Sequence, residues 1–210
     1  MGPVPTTSTR PTTAAVAGRP SAVSRDPRAQ RSREAVLRAA VEELGAVGYG
    51  AFTVESVAAR AGIAKSTFYR HWPDGLAVIA DALETFHAQM RPVDHSGSYR
   101  EQLVVMLEHV ARILADSPFA ACIPALVDGA ERDPAVARFH HTYSAARRAE
   151  LAAVVEAGMA SGELLTSTDV ALVVLCLLGP LFYSRLMTDA VFDGDDVRAL
   201  VDTVLPPVAP

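Results

Sequence analysis

"VAARAGIAKSTFYRHW", residues 57–72, is the stretch on which the fold turns. Val54, Val57, Ala58 and Ala61 recur at helical spacing, with Thr53 in place to cap the helix and Gly62 to supply the left-handed residue that closes it. Only Ile63 and Ala64 separate that point from Lys65, where a second helical pattern begins. On a wheel of about 100° per residue, Phe68 and Trp72 fall within about 40° of each other and anchor this helix. Ser66 and Arg70 point away from them, Thr67 and Tyr69 flank that outward face, and Lys65 stands at the helix start. Two short helices joined by so tight a glycine-containing connection make a helix-turn-helix. The outward side offers hydroxyls, a phenol and a guanidinium, with no carboxylate, and free backbone N–H groups at the helix start add donors for phosphate. Arg70 and Lys65 suit guanine edges or phosphate. Ser66, Thr67, Tyr69 and His71 suit phosphate oxygens, and Thr67 also suits a thymine methyl.

The charge distribution points the same way. The 210-residue chain has a net charge of −5, which alone argues against a nucleic-acid partner. Residues 1–72, however, hold 10 Lys/Arg against 5 Asp/Glu, and residues 73–210 hold 9 against 19. A basic first third on an acidic remainder fits a protein that meets phosphates at one end only.

Outward from the motif, every periodic segment is helical, and no alternating strand pattern occurs. The fold class is all-α: an N-terminal three-helix helix-turn-helix domain plus a C-terminal helical bundle, about nine helices in all. Residues 1–26, rich in Thr, Pro, Ala, Ser and Gly with scattered arginines, form a disordered tail by composition. Residues 27–73 form the helix-turn-helix domain, opening at Asp26-Pro27. Residues 74–91 form a connecting helix capped by Asp74, and residues 92–210 form the C-terminal domain. The start of the chain lacks the apolar run of a secretory signal. The longest apolar stretch, "VALVVLCLLGPLFY" (residues 170–183), spans about 14 residues with Gly179-Pro180 inside, against about 20 for a bilayer span. It reads as a buried helix of a soluble, cytoplasmic protein. Cys122 and Cys176 stand alone in apolar runs, without metal-ligand spacing, and read as buried thiols in a reducing compartment.

Residues 52–83, "FTVESVAARAGIAKSTFYRHWPDGLAVIADAL", resemble the DNA-binding signature of the TetR family of bacterial transcriptional regulators. Thr53, Val57, Ala58, Ala61, Gly62, Ile63, Thr67, Phe68, Tyr69, His71 and Trp72 carry the match. The resemblance implies a DNA-binding homodimer, a repressor released from a near-palindromic double-stranded DNA operator by a small-molecule effector. It places Lys65, Ser66, Thr67, Tyr69, Arg70 and His71 at the major groove and Thr53 at a phosphate. The family commonly follows the Trp-Pro with a polar residue, Lys and Glu. Here Asp74, Gly75 and Leu76 stand there, and the phosphate-contacting Lys is absent.

An effector pocket inside the C-terminal bundle is expected to draw on Phe86, Met90, Met106, Val110, Ile113, Cys122, Leu126, Phe139, Tyr143, Leu175 and Phe182. His109, His140 and Tyr183 are the polar groups positioned to orient a ligand. Dimerisation is expected through the last two helices. No cofactor is implied, and His140 and His141, being adjacent, face different ways on a helix, which argues against a shared metal. Two rival readings remain open. One is a helix-turn-helix protein that serves as an interaction module without reading an operator. The other is a helical enzyme, against which stands the absence of HExxH, GxSxG, P-loop and GxGxxG patterns.

Overall fold

The computed structural model describes residues 27–90, 97–164 and 169–206. The expected disordered tail and most of the linker after residue 91 lie outside the described residues. Among those residues there are nine α-helices and no strands: α1 (Pro27–Val47), α2 (Val54–Arg60), α3 (Lys65–Tyr69), α4 (Gly75–Met90), α5 (Tyr99–Asp116), α6 (Pro118–Arg132), α7 (Pro134–Ser161), α8 (Val170–Met187) and α9 (Gly194–Val204).

Local chemistry sets these boundaries. Proline stands at the first turn of α6 and α7, where its missing N–H costs nothing, and Ser117 and Asp133 cap those helices. Ser98 and Glu101 close a reciprocal capping box on α5, and Asp193 and Asp196 do the same on α9. In α8 Gly179-Pro180 does not end the helix, which runs through Pro180 to Met187.

Two apolar cores result. The first joins Val36, Leu37, Leu44, Val57, Phe68, Trp72, Ile79 and Leu83 of the N-terminal helices to Phe119, Cys122 and Leu126 of α6 and Val136 of α7. The reading helices thus share a core with α6, and α1 and α4 both pack within it. The second core joins Leu103, Leu107 and Leu114 of α5 to Leu151 and Val155 of α7, Val174, Leu177 and Leu181 of α8, and Val197 and Val201 of α9. Arg100 ties this bundle to the last helix through Asp202, at 2.7 Å, and through the Leu205 carbonyl.

Candidate nucleic-acid interface

Thr53 caps α2 with its hydroxyl oxygen, which accepts from the Ser56 N–H at 3.1 Å. The helix closes in a full Schellman turn: Gly62 N–H donates to Ala59 C=O at 3.2 Å, and Ile63 N–H to Ala58 C=O at 3.0 Å. Gly62 has φ +67°, a conformation that favours glycine because it has no Cβ to clash. This turn sets where α3 begins and which way it faces.

On α3, Phe68 is 0% and Trp72 4% exposed, and their rings lie 5.4 Å apart. Burying each such side chain contributes about 1.5–3 kcal/mol, enough to fix the helix rotation. Lys65, Ser66, Tyr69, Arg70 and His71 are then exposed, Thr67 is half-buried, and Thr53 is exposed at the start of α2. The regular helix ends at Tyr69, so Arg70 and His71 lie in the turn after it rather than on the helix proper. The Trp72 indole N–H donates to Asp81 of α4 at 2.8 Å, and Arg33 of α1 donates to the other carboxylate oxygen at 2.5 Å. Asp81 therefore holds α1, the end of α3 and α4 to one point.

At least three cations of the basic first third are paired with acids among the described residues. Besides Arg33, Arg60 donates twice to Glu43, at 2.7 and 3.1 Å. Glu43 is only 7% exposed, and hydrogen bonds from Arg60 and then Ser56 hold its carboxyl below the usual range. Lys65 donates to Glu55 of α2, and that bond lowers the Glu55 carboxyl as well. The face expected to be free of acids thus receives one from the neighbouring helix, which the α3 wheel alone does not show. Arg70 has no ion pair among the described residues. Glu43, Glu55 and Asp81 went unnoticed in the sequence because each partner lies 9 to 48 residues away.

At the departure from the family pattern, Asp74 accepts from the Ala77 N–H at 2.8 Å and caps α4. A Cβ on Gly75 would stand 2.9 Å from Phe52 Cε1, so the glycine admits the Phe52 ring.

Of the expected effector-pocket residues, Phe86, Ile113, Cys122, Leu126, Phe139 and Tyr143 belong to the first core, and Met106 and Val110 pack on the second. The side chain of Met90 lies outside the described residues. Leu175 and Phe182 do not line the interior: they are 58% and 36% exposed on the outer side of α8. Tyr183, expected to orient a ligand, is 65% exposed there. Helix α8 is apolar all round, so its periodicity could not tell the inner face from the outer. Cys122 is buried, donates to the Val41 carbonyl at 3.3 Å, and has its thiol pushed up to about 12 by burial. Cys176 is exposed, contrary to the expectation of two buried thiols.

Residues 36–75 match the family model described as bacterial regulatory proteins, tetR family, and residues 93–204 match the tetracyclin repressor-like C-terminal domain. An uncharacterized HTH-type transcriptional regulator of Bacillus subtilis (strain 168), YdeS, is 31% identical over 176 residues, covering 83% of this chain and 88% of that protein. Among solved structures, the TetR family transcription regulator SCO0332 is 28% identical with a TM-score of 0.67, covering 86% of this chain and 100% of that one. GusR of Salmonella enterica shares the fold at 19% identity, with a TM-score of 0.67 over 83% of this chain and 95% of its own.

Proposed function

We propose a specific reading head and switch for this chain, which belongs to the tetR family of bacterial regulatory proteins and is a DNA-binding, helix-turn-helix transcriptional regulator. In this reading Lys65, Ser66, Thr67, Tyr69, Arg70 and His71 enter the major groove, and Thr53 meets a phosphate at the start of α2. One observation carries it: burial of Phe68 and Trp72 turns Arg70, without an ion pair among the described residues, and its polar neighbours to solvent together. The protein acts in the cytoplasm as a repressor.

A second copy covers the outer face of α8. That helix has the length and apolarity to cross a membrane, with a mean hydropathy of 2.0 over 18 residues, of which 28% are buried within the chain. Leu172, Leu175, Tyr183 and Met187 stand 57 to 71% exposed along it. Contiguous apolar surface of this kind marks an interaction face. Its inner side packs with α5, α7 and α9 in the bundle, which favours a protein partner over lipid. A two-fold dimer sets two α3 helices about one helical turn of DNA apart, so the operator is near-palindromic.

A small molecule bound in the C-terminal bundle shifts the population toward a conformation in which α4 re-aims the reading heads. Asp81 is the point through which α4 would move α1 and Trp72. A gel shift with the DNA upstream of the protein's own gene tests the operator reading; binding no tighter than to unrelated DNA would overturn it.

A further inference from the structure

Gly179 stands in the middle of α8, on its exposed side. Its φ is not positive, and a Cβ placed on it would meet nothing within 4 Å beyond its neighbours in the helix. Neither a special backbone conformation nor crowding from the rest of the chain calls for glycine here. A glycine inside a helix nevertheless costs about 0.5–1 kcal/mol against alanine. Pro180 supplies part of the reason, because proline disfavours a Cβ on the helical residue before it. The outcome is a notch at the centre of an apolar face.

The exposed residues of α8 are arranged about that notch. Cys176 and Phe182 stand three residues to either side of Gly179, and Leu175 and Tyr183 four. Farther out come Leu172 and Leu186 at seven, then Ala171 and Met187 at eight. All are exposed and none is charged. The one charged residue of the helix, Arg185, is half-buried and donates to the Ala120 carbonyl at 3.0 Å.

Any helix face has symmetric spacing about its middle residue, but the side-chain sizes are particular to this one. With a two-fold axis at Gly179, in the plane between two antiparallel helices, each residue meets the one equally far on the other side. Small then faces large, Cys176 against Phe182 and Ala171 against Met187. Leucine 172 faces leucine 186, and glycine faces glycine where the two backbones come closest. In parallel helices each residue would instead meet itself, ring on ring at Phe182 and Tyr183, with the notch left empty between them.

We propose that two copies pack α8 against α8 antiparallel and cross at Gly179, so that Cys176 of one protomer meets Phe182 of its partner. The inference rests on the reading above that a second copy covers this face, and it specifies the register.

The test is disulfide trapping in the full chain with copper phenanthroline, followed on non-reducing gels. Phe182→Cys gives a covalent dimer between native Cys176 and the introduced thiol of the partner. The unaltered protein gives none, because its two Cys176 residues stand about 9 Å apart along the helix direction alone, beyond the roughly 7 Å that a disulfide spans. Phe182→Cys combined with Cys176→Ser gives none for the same reason. Cys122 is buried and takes no part. In sedimentation, Gly179→Leu made together with Pro180→Ala, which lifts the proline's demand on its neighbour, weakens the dimer at least about tenfold relative to Pro180→Ala alone. A dimer that fails to cross-link in Phe182→Cys, that cross-links through Cys176 in the unaltered protein, or that is indifferent to Gly179→Leu overturns this crossing and leaves the dimer standing. An unaltered protein that is monomeric at micromolar concentration overturns both the crossing and the reading it rests on.

Discussion

At Arg70 and Lys65, two cations of the same surface differ in what they must give up to meet DNA. Arg70 is exposed without an ion pair among the described residues, so in the proposed reading its guanidinium would reach a base edge or phosphate at no cost in broken contacts. Arg70→Ala is expected to weaken operator binding by about 1–3 kcal/mol, as measured by fluorescence anisotropy, with an unchanged melting temperature. Lys65 is held by Glu55, and both are more than half exposed. DNA must break that pair or accept a carboxylate beside its phosphates. Glu55→Gln is therefore expected to act in the opposite sense, raising affinity several-fold and steepening the salt dependence by about one counterion. A variant that binds more weakly would show that Glu55 orients Lys65 instead of competing for it. The identity of both residues was plain in the sequence, but their pairing was not. It depends on the turn at Gly62 bringing the start of α3 beside the first turn of α2.

At the level of elements, the turn between α2 and α3 concentrates its constraint in one residue. A Cβ at Gly62 would touch nothing within 4 Å, yet the backbone sits at φ +67°. Gly62→Ala should thus cost about 1 kcal/mol in chemical denaturation, from backbone strain alone. A larger loss would mean that the reading helices had also shifted. Gly75 is the converse case: its backbone is unstrained, and the Phe52 ring occupies the space a side chain would need. His87, His109 and His140 of α4, α5 and α7, the second buried and the others half-buried, act together on stability. Each has its folded value below the ordinary 6.5, with burial the main cause. As the pH falls, the unfolded chain takes up protons first, so stability is full above about pH 6.5 and drops below it until the folded histidines charge. A melting temperature that rises between about pH 7 and pH 5.5 would contradict this sign.

For the whole molecule, the decisive surface is the outer face of α8. Leu172 and Met187 are 57% and 71% exposed near its two ends, and neither packs in the core of its own chain. Leu172→Glu together with Met187→Glu should leave the fold intact by circular dichroism. Sedimentation should then show monomers, and cooperative binding to a two-half-site operator should be lost. A protein that stays dimeric would assign the interface to another face. The basic tail, residues 1–26, belongs to this scale as well. Deleting residues 1–25 is expected to flatten the salt dependence of operator binding, and an unchanged slope would exclude the tail from the complex.

Helix existence, most helix ends and the exposed face of α3 were legible in the sequence, because each depends on residues within one or two turns of one another. Capping by Thr53, Ser117 and Asp133, closure at Gly62, and the anchoring of Phe68 and Trp72 are interactions of this short range. What tertiary structure alone decided depends on partners far apart in the chain. Glu43, Glu55 and Asp81 take up cations that sequence counting treats as available for DNA. The first core crosses from α1–α4 into α6 and α7, and His87 of α4 meets Glu150 of α7 across 63 residues of chain. Helix α8 makes the distinction sharpest. Its composition announced an apolar helix, but with apolar residues on every side only packing could choose which face went inward, and that choice left Leu175, Cys176 and Phe182 facing outward.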